Sequence, residues 1–455
     1  MFRRGNRLLS LVAAVAAAGA LLAGCGGGSP ASGSTLTMWT FKQTHVKALQ
    51  DAAAAFKAKT GITVNITAYT PDDTYTSKVQ SAAATHGLPD VLEVHAAGED
   101  FTFGAAGLLT DLTSDVDAAW KSRFLTGTAD AGLVTPQIYQ ASLNAKSTHD
   151  GIKQGQLFSI PFTAGTFGVV YANKAKLQAA GLDPNSIPKT WQDLVSWFKA
   201  TDTRDSAQGG VTLGLSDSST GLDWLMEPLA YSYLGKTKYE ALFGKDPAQD
   251  WGSPNAKAVL DLYDQITPYW TPGDQTLSID NADLAFAQGK SAFDIGGTFT
   301  ESSLQQDGMD PNNIVAFGLP PAANGAIGSE FKLAPIALTG LAITSQTKNS
   351  SAAVQWINYL STEPVAGSFA KTSFDLPAVN LGANASKDVG QYLSSLESVF
   401  GNGDSAFNSN LNAFQSPTWD IQKAGNIVIK MSPLKQADSA TVNSQLGAYN
   451  IDSWK

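Results

Sequence analysis

The chain has 455 residues, 43% of them apolar, and sets 30 basic against 40 acidic side chains for a net charge of -10. That acidic balance disfavours nucleic acid and anionic lipid head groups as partners, because both repel it. The length suffices for two domains with sizeable cores, and a single cysteine, Cys25, excludes an internal disulfide, so apolar burial has to carry the fold.

Arg3, Arg4 and Arg7 precede an apolar run at 8–23 that is too short to span a bilayer comfortably. The run ends in Leu21, Leu22, Ala23, Gly24 and Cys25, an order that resembles the lipoprotein box. Residues 1–24 are therefore expected to be a signal peptide, removed after a diacylglyceryl group is placed on the Cys25 sulfur. Loss of the three arginines takes the net charge to -13. Residues 25–34 are rich in glycine and serine and read as a flexible leash.

Leu36 and Met38 alternate with Thr37 and Trp39, which predicts a strand. Val46, Leu49, Ala53 and Phe56 recur at helical steps, with Gly61 as the stop. Ile62, Val64 and Ile66 alternate again; a helix follows from Tyr75 to Ala84, then an apolar strand at Val91 and Leu92. Strand, helix, strand, helix, strand predicts an open α/β fold with a parallel sheet. Ligands of such sheets bind beyond the carboxyl ends of the strands, which selects Thr40, Phe41, Lys42, Gln43, Tyr69, His95 and Glu99.

Farther on, Ile160 and Pro161 read as a turn before a strand from Gly165 to Tyr171, where the chain is expected to cross between lobes. Pro188 and Thr190 start a helix carrying Trp191, Leu194, Val195 and Phe198 on one face, and Asp193 makes an imperfect capping box because Glu or Gln reaches back better. A helix running to Gly289 leads into a strand at 292–295 and the loop Gly296, Gly297, Thr298, Phe299. A last strand at 341–343 precedes a helix with Ala353, Trp356, Ile357 and Leu360 on one face. Trp191 and Trp356 are expected in the core.

The four histidines, His45, His86, His95 and His149, show no ligand spacing, so neither a metal nor a cofactor is expected. Neither a Gly-x-Ser-x-Gly elbow nor a phosphate-binding glycine loop occurs, so acyl transfer and nucleotide hydrolysis lack their marks. Past residue 24 the arginines are Arg123 and Arg204 alone, and this scarcity argues against an anionic ligand. Ten tryptophans and twelve tyrosines offer flat faces with polar edges, suited to pyranose rings.

Taken in order, several segments resemble the extracellular solute-binding proteins of family 1, the carbohydrate-receptor lipoproteins of ABC importers. They are Met38-Trp39-Thr40; Phe56 through Gly61-Ile62-Thr63-Val64; Gly87-Leu88-Pro89-Asp90-Val91; Gly107-Leu108-Leu109-Thr110-Asp111-Leu112; and Ile160-Pro161-Phe162 leading to Tyr171-Ala172-Asn173-Lys174. Pro188-Lys189-Thr190-Trp191, the stretch from Ala285 to Phe293, Gly340-Leu341-Ala342-Ile343 and Leu376-Pro377-Ala378 complete the pattern. Phe293 departs from it, methionine being usual there, as does Thr298-Phe299, where Gly-Trp or Pro-Trp is commoner.

The resemblance implies a two-lobe, type II periplasmic-binding-protein-like fold with discontinuous lobes, 35–158 plus 337–410 and 159–336 plus 411–455. It also implies a monomer that is not an enzyme, closing on a sugar and delivering it to a membrane permease. On that reading Phe41, Gln43, His95 and Glu99 line the first wall. Gly297, Thr298 and Phe299, with Phe299 as stacking platform, and the cleft aromatic Trp224 line the second. Thr163 and Phe167 flank the crossing, while Gly340, Phe374 and Asp375 complete the site, the aspartate accepting two sugar hydroxyls. The alternatives are a polyamine, peptide or chelate cargo on the same fold, and a lipid-anchored carbohydrate-active enzyme with a close carboxylate pair.

Overall fold

The computed structural model describes residues 34–144, 147–382, 396, 398–409, 414–416 and 418–455. The expected signal peptide, Cys25, most of the leash and the expected lobe boundary after residue 410 lie outside the described residues. Among those described, the strands are β1 (Thr35–Thr40), β2 (Thr63–Ala68), β3 (Val91–His95), β4 (Ile160–Gly165), β5 (Phe167–Asn173), β6 (Val211–Thr212), β7 (Phe293–Gly297), β8 (Ile314–Gly318), β9 (Lys332–Leu333), β10 (Ile336–Ile343) and β11 (Ala406–Phe407).

The first sheet has the order β2-β1-β3-β10-β4. Its first three strands are parallel, linked by the helices α1 (Val46–Thr60) and α2 (Asp72–Ala84). Leu36 and Met38 point into the core from β1, Leu49, Ala53 and Phe56 meet them from α1, and α1 ends at Gly61 in the left-handed conformation. The sheet is mixed rather than parallel, because β10 runs antiparallel between β3 and β4. Strand pairs separated by some 240 residues leave no local trace in a sequence, so periodicity could not show this insertion.

Ile160 and Pro161 are strand rather than turn. Proline lacks the N–H that a ladder needs, and β4 tolerates it where the register against β10 shifts, between Thr339 and Gly340. Consequently the chain leaves the first sheet at Thr166, between β4 and β5, and not at the expected 158/159 boundary. It returns at β10, starting at Ile336.

The second sheet has the order β6-β7-β5-β8, with β6 parallel to β7 and β5 antiparallel to both neighbours. Trp191 starts the helix Trp191–Arg204 fully buried, its indole N–H donating to the Leu262 carbonyl at 3.0 Å. The capping box there is complete after all: the Thr190 N–H reaches Asp193 Oδ2 at 3.0 Å and the Asp193 N–H reaches Thr190 Oγ1 at 3.2 Å. Phe293, where methionine was expected, packs edge-on to Phe198 at 4.9 Å. Trp356 lies fully buried in the first core, 5.2 Å from Phe56. Ala424, Val428, Val442 and Leu446 from the C-terminal helices Ile421–Val428 and Ser439–Ser453 join the core of the second sheet. So does Phe407, against Tyr231 and Tyr239, which brings the chain into the second core before residue 410.

Where the sheets adjoin, an added Cβ at Gly165 would lie 1.8 Å from Thr298 Oγ1 and 2.6 Å from Leu338 Cδ1. Nothing but glycine fits. Gly165→Ala is expected to cost about 1–3 kcal/mol by overpacking, read as a lower midpoint in chemical denaturation.

Asp294 of β7 and Asp283 are both buried, and Thr212 Oγ1 donates to Asp294 Oδ1 at 2.9 Å. Burial raises the pKa of both, Asp294 to about 6 and Asp283 farther, because it also faces the Asp294 charge. Groups with raised folded pKa values stabilise at low pH and lose that contribution as pH rises through the folded value. Asp283→Asn, whose amide donates without a titrating proton, should shrink the loss of stability between pH 5 and pH 8 by on the order of 1 kcal/mol, measured by urea titration at both pH values.

Candidate functional site: the facing edges of the two sheets

Because β1, β2 and β3 are parallel, their carboxyl ends fall on one edge, and β4 ends on that edge too. In the second sheet β7 ends opposite the start of β5, at the pair Gly297 and Phe167. The crossing at Thr166 joins these two edges. Its N–H donates to Thr298 Oγ1 at 3.3 Å, and the Thr298 N–H donates back to the Thr166 carbonyl at 3.0 Å.

On the first edge, Phe41 is buried and stacks on His95, ring centroids 4.2 Å apart and planes 21° off parallel. His95 is half exposed and sits between Asp72 at 3.3 Å and Glu99 at 3.2 Å, and Glu99 also accepts the His95 backbone N–H at 3.1 Å. Partial burial alone would lower the imidazole pKa, but hydrogen bonds to Asp72 and Glu99 and their charges outweigh it and raise it. Gln43 is exposed on the same loop. Tyr69, at the end of β2, packs edge-on to Trp39 at 5.0 Å.

Below this edge lies a set of buried charges. His45, Glu93 and Asp375 are fully buried; His45 Nδ1 lies 3.0 Å from Glu93 Oε1, and Nε2 lies 3.0 Å from Asp375 Oδ2. Thr40 Oγ1 donates to Glu93 Oε2 at 2.6 Å, the Tyr75 hydroxyl donates to the Glu93 carbonyl, and Lys42 Nζ reaches Asp375 Oδ2 at 3.3 Å. Two carboxylates and two cations thus balance when His45 is protonated. Desolvation opposes charge at each buried site. For His45 the two carboxylates overcome it and raise the pKa; for Glu93 and Asp375 the cations and hydrogen bonds overcome it and lower theirs.

On the second edge, Phe167 and Trp224 stack 5.0 Å apart and within 4° of parallel, and Phe299 meets both edge-on, at 6.3 and 5.8 Å. Trp224 is carried by a π-helical turn, Gly221–Met226, of the kind that often marks functional positions. Phe299 precedes the helix Thr300–Gln306 and is half-buried. Lys42 from the first edge lies over its ring, 4.6 Å from the centroid.

The structure thus brings Phe41, His95 and Glu99 to one edge and Phe167, Trp224, Gly297, Thr298 and Phe299 to the other. Phe374, 36% exposed in the left-handed conformation, ends the helix Glu363–Ser373 beside Asp375. Four expected residues are placed differently: Thr298 is fully buried, its hydroxyl taken by the Thr166 N–H. Thr163 is buried in β4, its hydroxyl 2.9 Å from Thr339 Oγ1. Gly340 lies inside β10, where an added Cβ would meet Ser159 Oγ at 2.6 Å. Asp375 spends its oxygens on Lys42, His45 and the Leu376 N–H rather than facing a ligand. Residues that the sequence reading passed over are His45, Glu93 and Asp72. Glu93, a carboxylate inside the apolar strand Val91–His95, was the available signal, since a charge on a buried strand needs a partner. A depression of about 280 Å³ lined by Lys176, Thr201, Arg204 and Gln208 lies elsewhere. There Lys176 and Arg204 already donate to the Gln208 and Ala179 carbonyls.

Two α/β bodies joined at a strand crossing, with aromatic and charged side chains on their adjoining edges, define a two-lobe binding protein of type II architecture. Residues 42–367 match the bacterial extracellular solute-binding protein family, and the chain belongs to that family. An uncharacterized ABC transporter extracellular-binding protein of Pyrococcus horikoshii is 23% identical over 304 residues, 66% of this chain and 60% of that protein. The chain therefore spans about 60% of that relative's length. A structure from work on xylan utilization by Caldanaerobius polysaccharolyticus superposes with a TM-score of 0.72 at 19% identity, covering 91% of this chain and 99% of the other. Maltose-bound MalE3 of T. maritima gives 0.68 at 18% identity, covering 92% and 99%. Among the described residues, no helix is long and apolar enough to cross a membrane, and no group of three or more His, Cys, Asp or Glu side chains could hold a metal ion.

The buried charge set fixes a pH dependence. The raised pKa of His45 stabilises the fold fully below about 6.5 and is lost as pH rises through the folded value; the lowered pKa values of Glu93 and Asp375 stabilise above about 4.5 and are lost as pH falls. His45→Asn leaves two buried carboxylates with one cation, and should cost about 3–5 kcal/mol near pH 6. In urea titrations from pH 5 to 9, its deficit against wild type should narrow toward the alkaline end.

Proposed function

We propose that this protein is the sugar- or oligosaccharide-binding component of an ABC import system, capturing cargo between the two sheet edges and passing it unchanged to a membrane permease. The carrying observation is the pairing of the Phe167, Trp224 and Phe299 aromatic cluster with the polar, charged edge around His95. Sugar rings present apolar C–H faces for the first and hydroxyls for the second. The xylan and maltose associations of the two structural neighbours support this choice of cargo. Phe41, Gln43, His95, Glu99, Phe167, Trp224, Gly297, Phe299 and Phe374 are the ligand-facing residues of this reading, and the fully buried Thr298 holds the crossing through Thr166. Thr163, Gly340 and Asp375 serve the sheet and the charge set beneath.

The lobes that open and close are the bodies built on the two sheets, hinged at Thr166 and between β9 and β10. The protein acts as a monomer without a cofactor and catalyses no reaction. The sequence around Cys25 supports a diacylglyceryl anchor holding it outside the cytoplasm.

A thermal-shift screen of xylo-, malto- and chito-oligosaccharides tests the cargo, since a ligand at a hundred times its Kd adds about 2.7 kcal/mol to stability. Product analysis of the same samples should show the sugar intact. Phe299→Ala and Trp224→Ala should each weaken the best binder by about 1 kcal/mol or more, measured by titration calorimetry. Unchanged affinity in both variants would remove the aromatic cluster from the site.

A further inference from the structure

Lys42 is the point where the two bodies touch through a charge. Its backbone follows β1 of the first sheet, its ammonium lies 3.3 Å from Asp375 Oδ2, and the same ammonium sits 4.6 Å from the centroid of Phe299, which follows β7 of the second sheet. The side chain is 16% exposed. Asp375 cannot follow a departing lysine, because His45 and the Leu376 N–H hold it in the first body. When the bodies separate, Lys42 therefore stays with Asp375 and leaves Phe299 bare. An interaction present only in the shut arrangement biases the equilibrium toward it.

The ammonium lies over one face of the Phe299 ring. Phe167 and Trp224 approach Phe299 edge-on from its own body. We propose that Lys42 is a resident occupant of the Phe299 face, holding the two lobes together without cargo and yielding its place to a sugar ring. This rests on the cargo reading only in its last step; the latch itself needs no sugar. It makes Lys42 a residue that sets affinity, because every sugar that stacks on Phe299 must first displace an internal competitor. It also selects on charge, since an ammonium that turned from Asp375 to an anionic ligand would leave the buried Glu93 and Asp375 with His45 as their one cation.

The test uses the full chain with Cys25→Ser and spin labels at Lys57→Cys and Lys199→Cys, exposed positions on helices of the two bodies. Bound sugar is stripped in guanidinium, and the distance between labels is measured by pulsed electron resonance. The wild-type background should show a dominant short distance without cargo. Lys42→Met should raise the ratio of open to shut by roughly two- to thirtyfold, the population equivalent of one cation–π contact. Phe299→Leu should do the same, while Lys42→Arg, which keeps the cation, should restore the wild-type distribution. Circular dichroism and melting confirm that the variants fold. A wild type already open without cargo, or a Lys42→Met distribution identical to wild type, overturns the proposal. No sugar enters this measurement, so an empty sugar screen leaves the latch standing and a failed latch leaves the cargo reading standing.

Discussion

Burying His45 between Glu93 and Asp375 is the constraint from which the geometry of the first edge follows. A lone buried carboxylate costs several kcal/mol, and two of them are tolerable only with cations held at hydrogen-bond distance. Meeting that demand fixes four pieces of chain against one another: the end of β1 through Thr40 and Lys42, the turn into α1 through His45, the middle of β3 through Glu93, and the turn after Ser373 through Asp375. Phe41 is carried between two of these fixed points. Its ring, and the His95 imidazole stacked on it, have little freedom to wander.

The second edge is organised by a different force. Its aromatic rings are held by mutual packing and by the tight threonine contact between Thr166 and Thr298, with Gly165 making room for the Thr298 hydroxyl. A polar, electrostatically pinned wall therefore faces an apolar, sterically pinned one. For a guest with both hydroxyls and C–H faces, such a pairing discriminates better than two walls of one kind, because each side of the guest can be wrong independently.

Legibility in the sequence followed the range of the interactions. The periodic elements β1, α1, β2, α2 and β3 could be read from their apolar spacing, and with them Phe41 and His95, because strand ends in an α/β sheet define an edge without further information. Phe299 and Trp224 came from resemblance to a family, since the stacking of Phe167 on Trp224 joins residues far apart in the chain. The antiparallel insertion of β10, the strand character of Ile160 and Pro161, and the withdrawal of Asp375 into the charge set all depend on long-range partners. His45 shows the limit well: a histidine without metal spacing carries no signal of its own, and only the approach of Glu93 and Asp375 gives it a role.

The burial of Asp283 and Asp294, which raises both their pKa values, bears on the surroundings this molecule tolerates. Its second body holds acid groups that gain hydrogen ions on moving from neutral toward mildly acid solution, and each uptake relieves a crowded negative charge. Glu227, pushed up to about 8 by burial, takes up its proton earlier, on the approach to neutrality from alkaline solution. A fall in pH from neutral therefore relieves negative charge inside this body instead of adding strain to it.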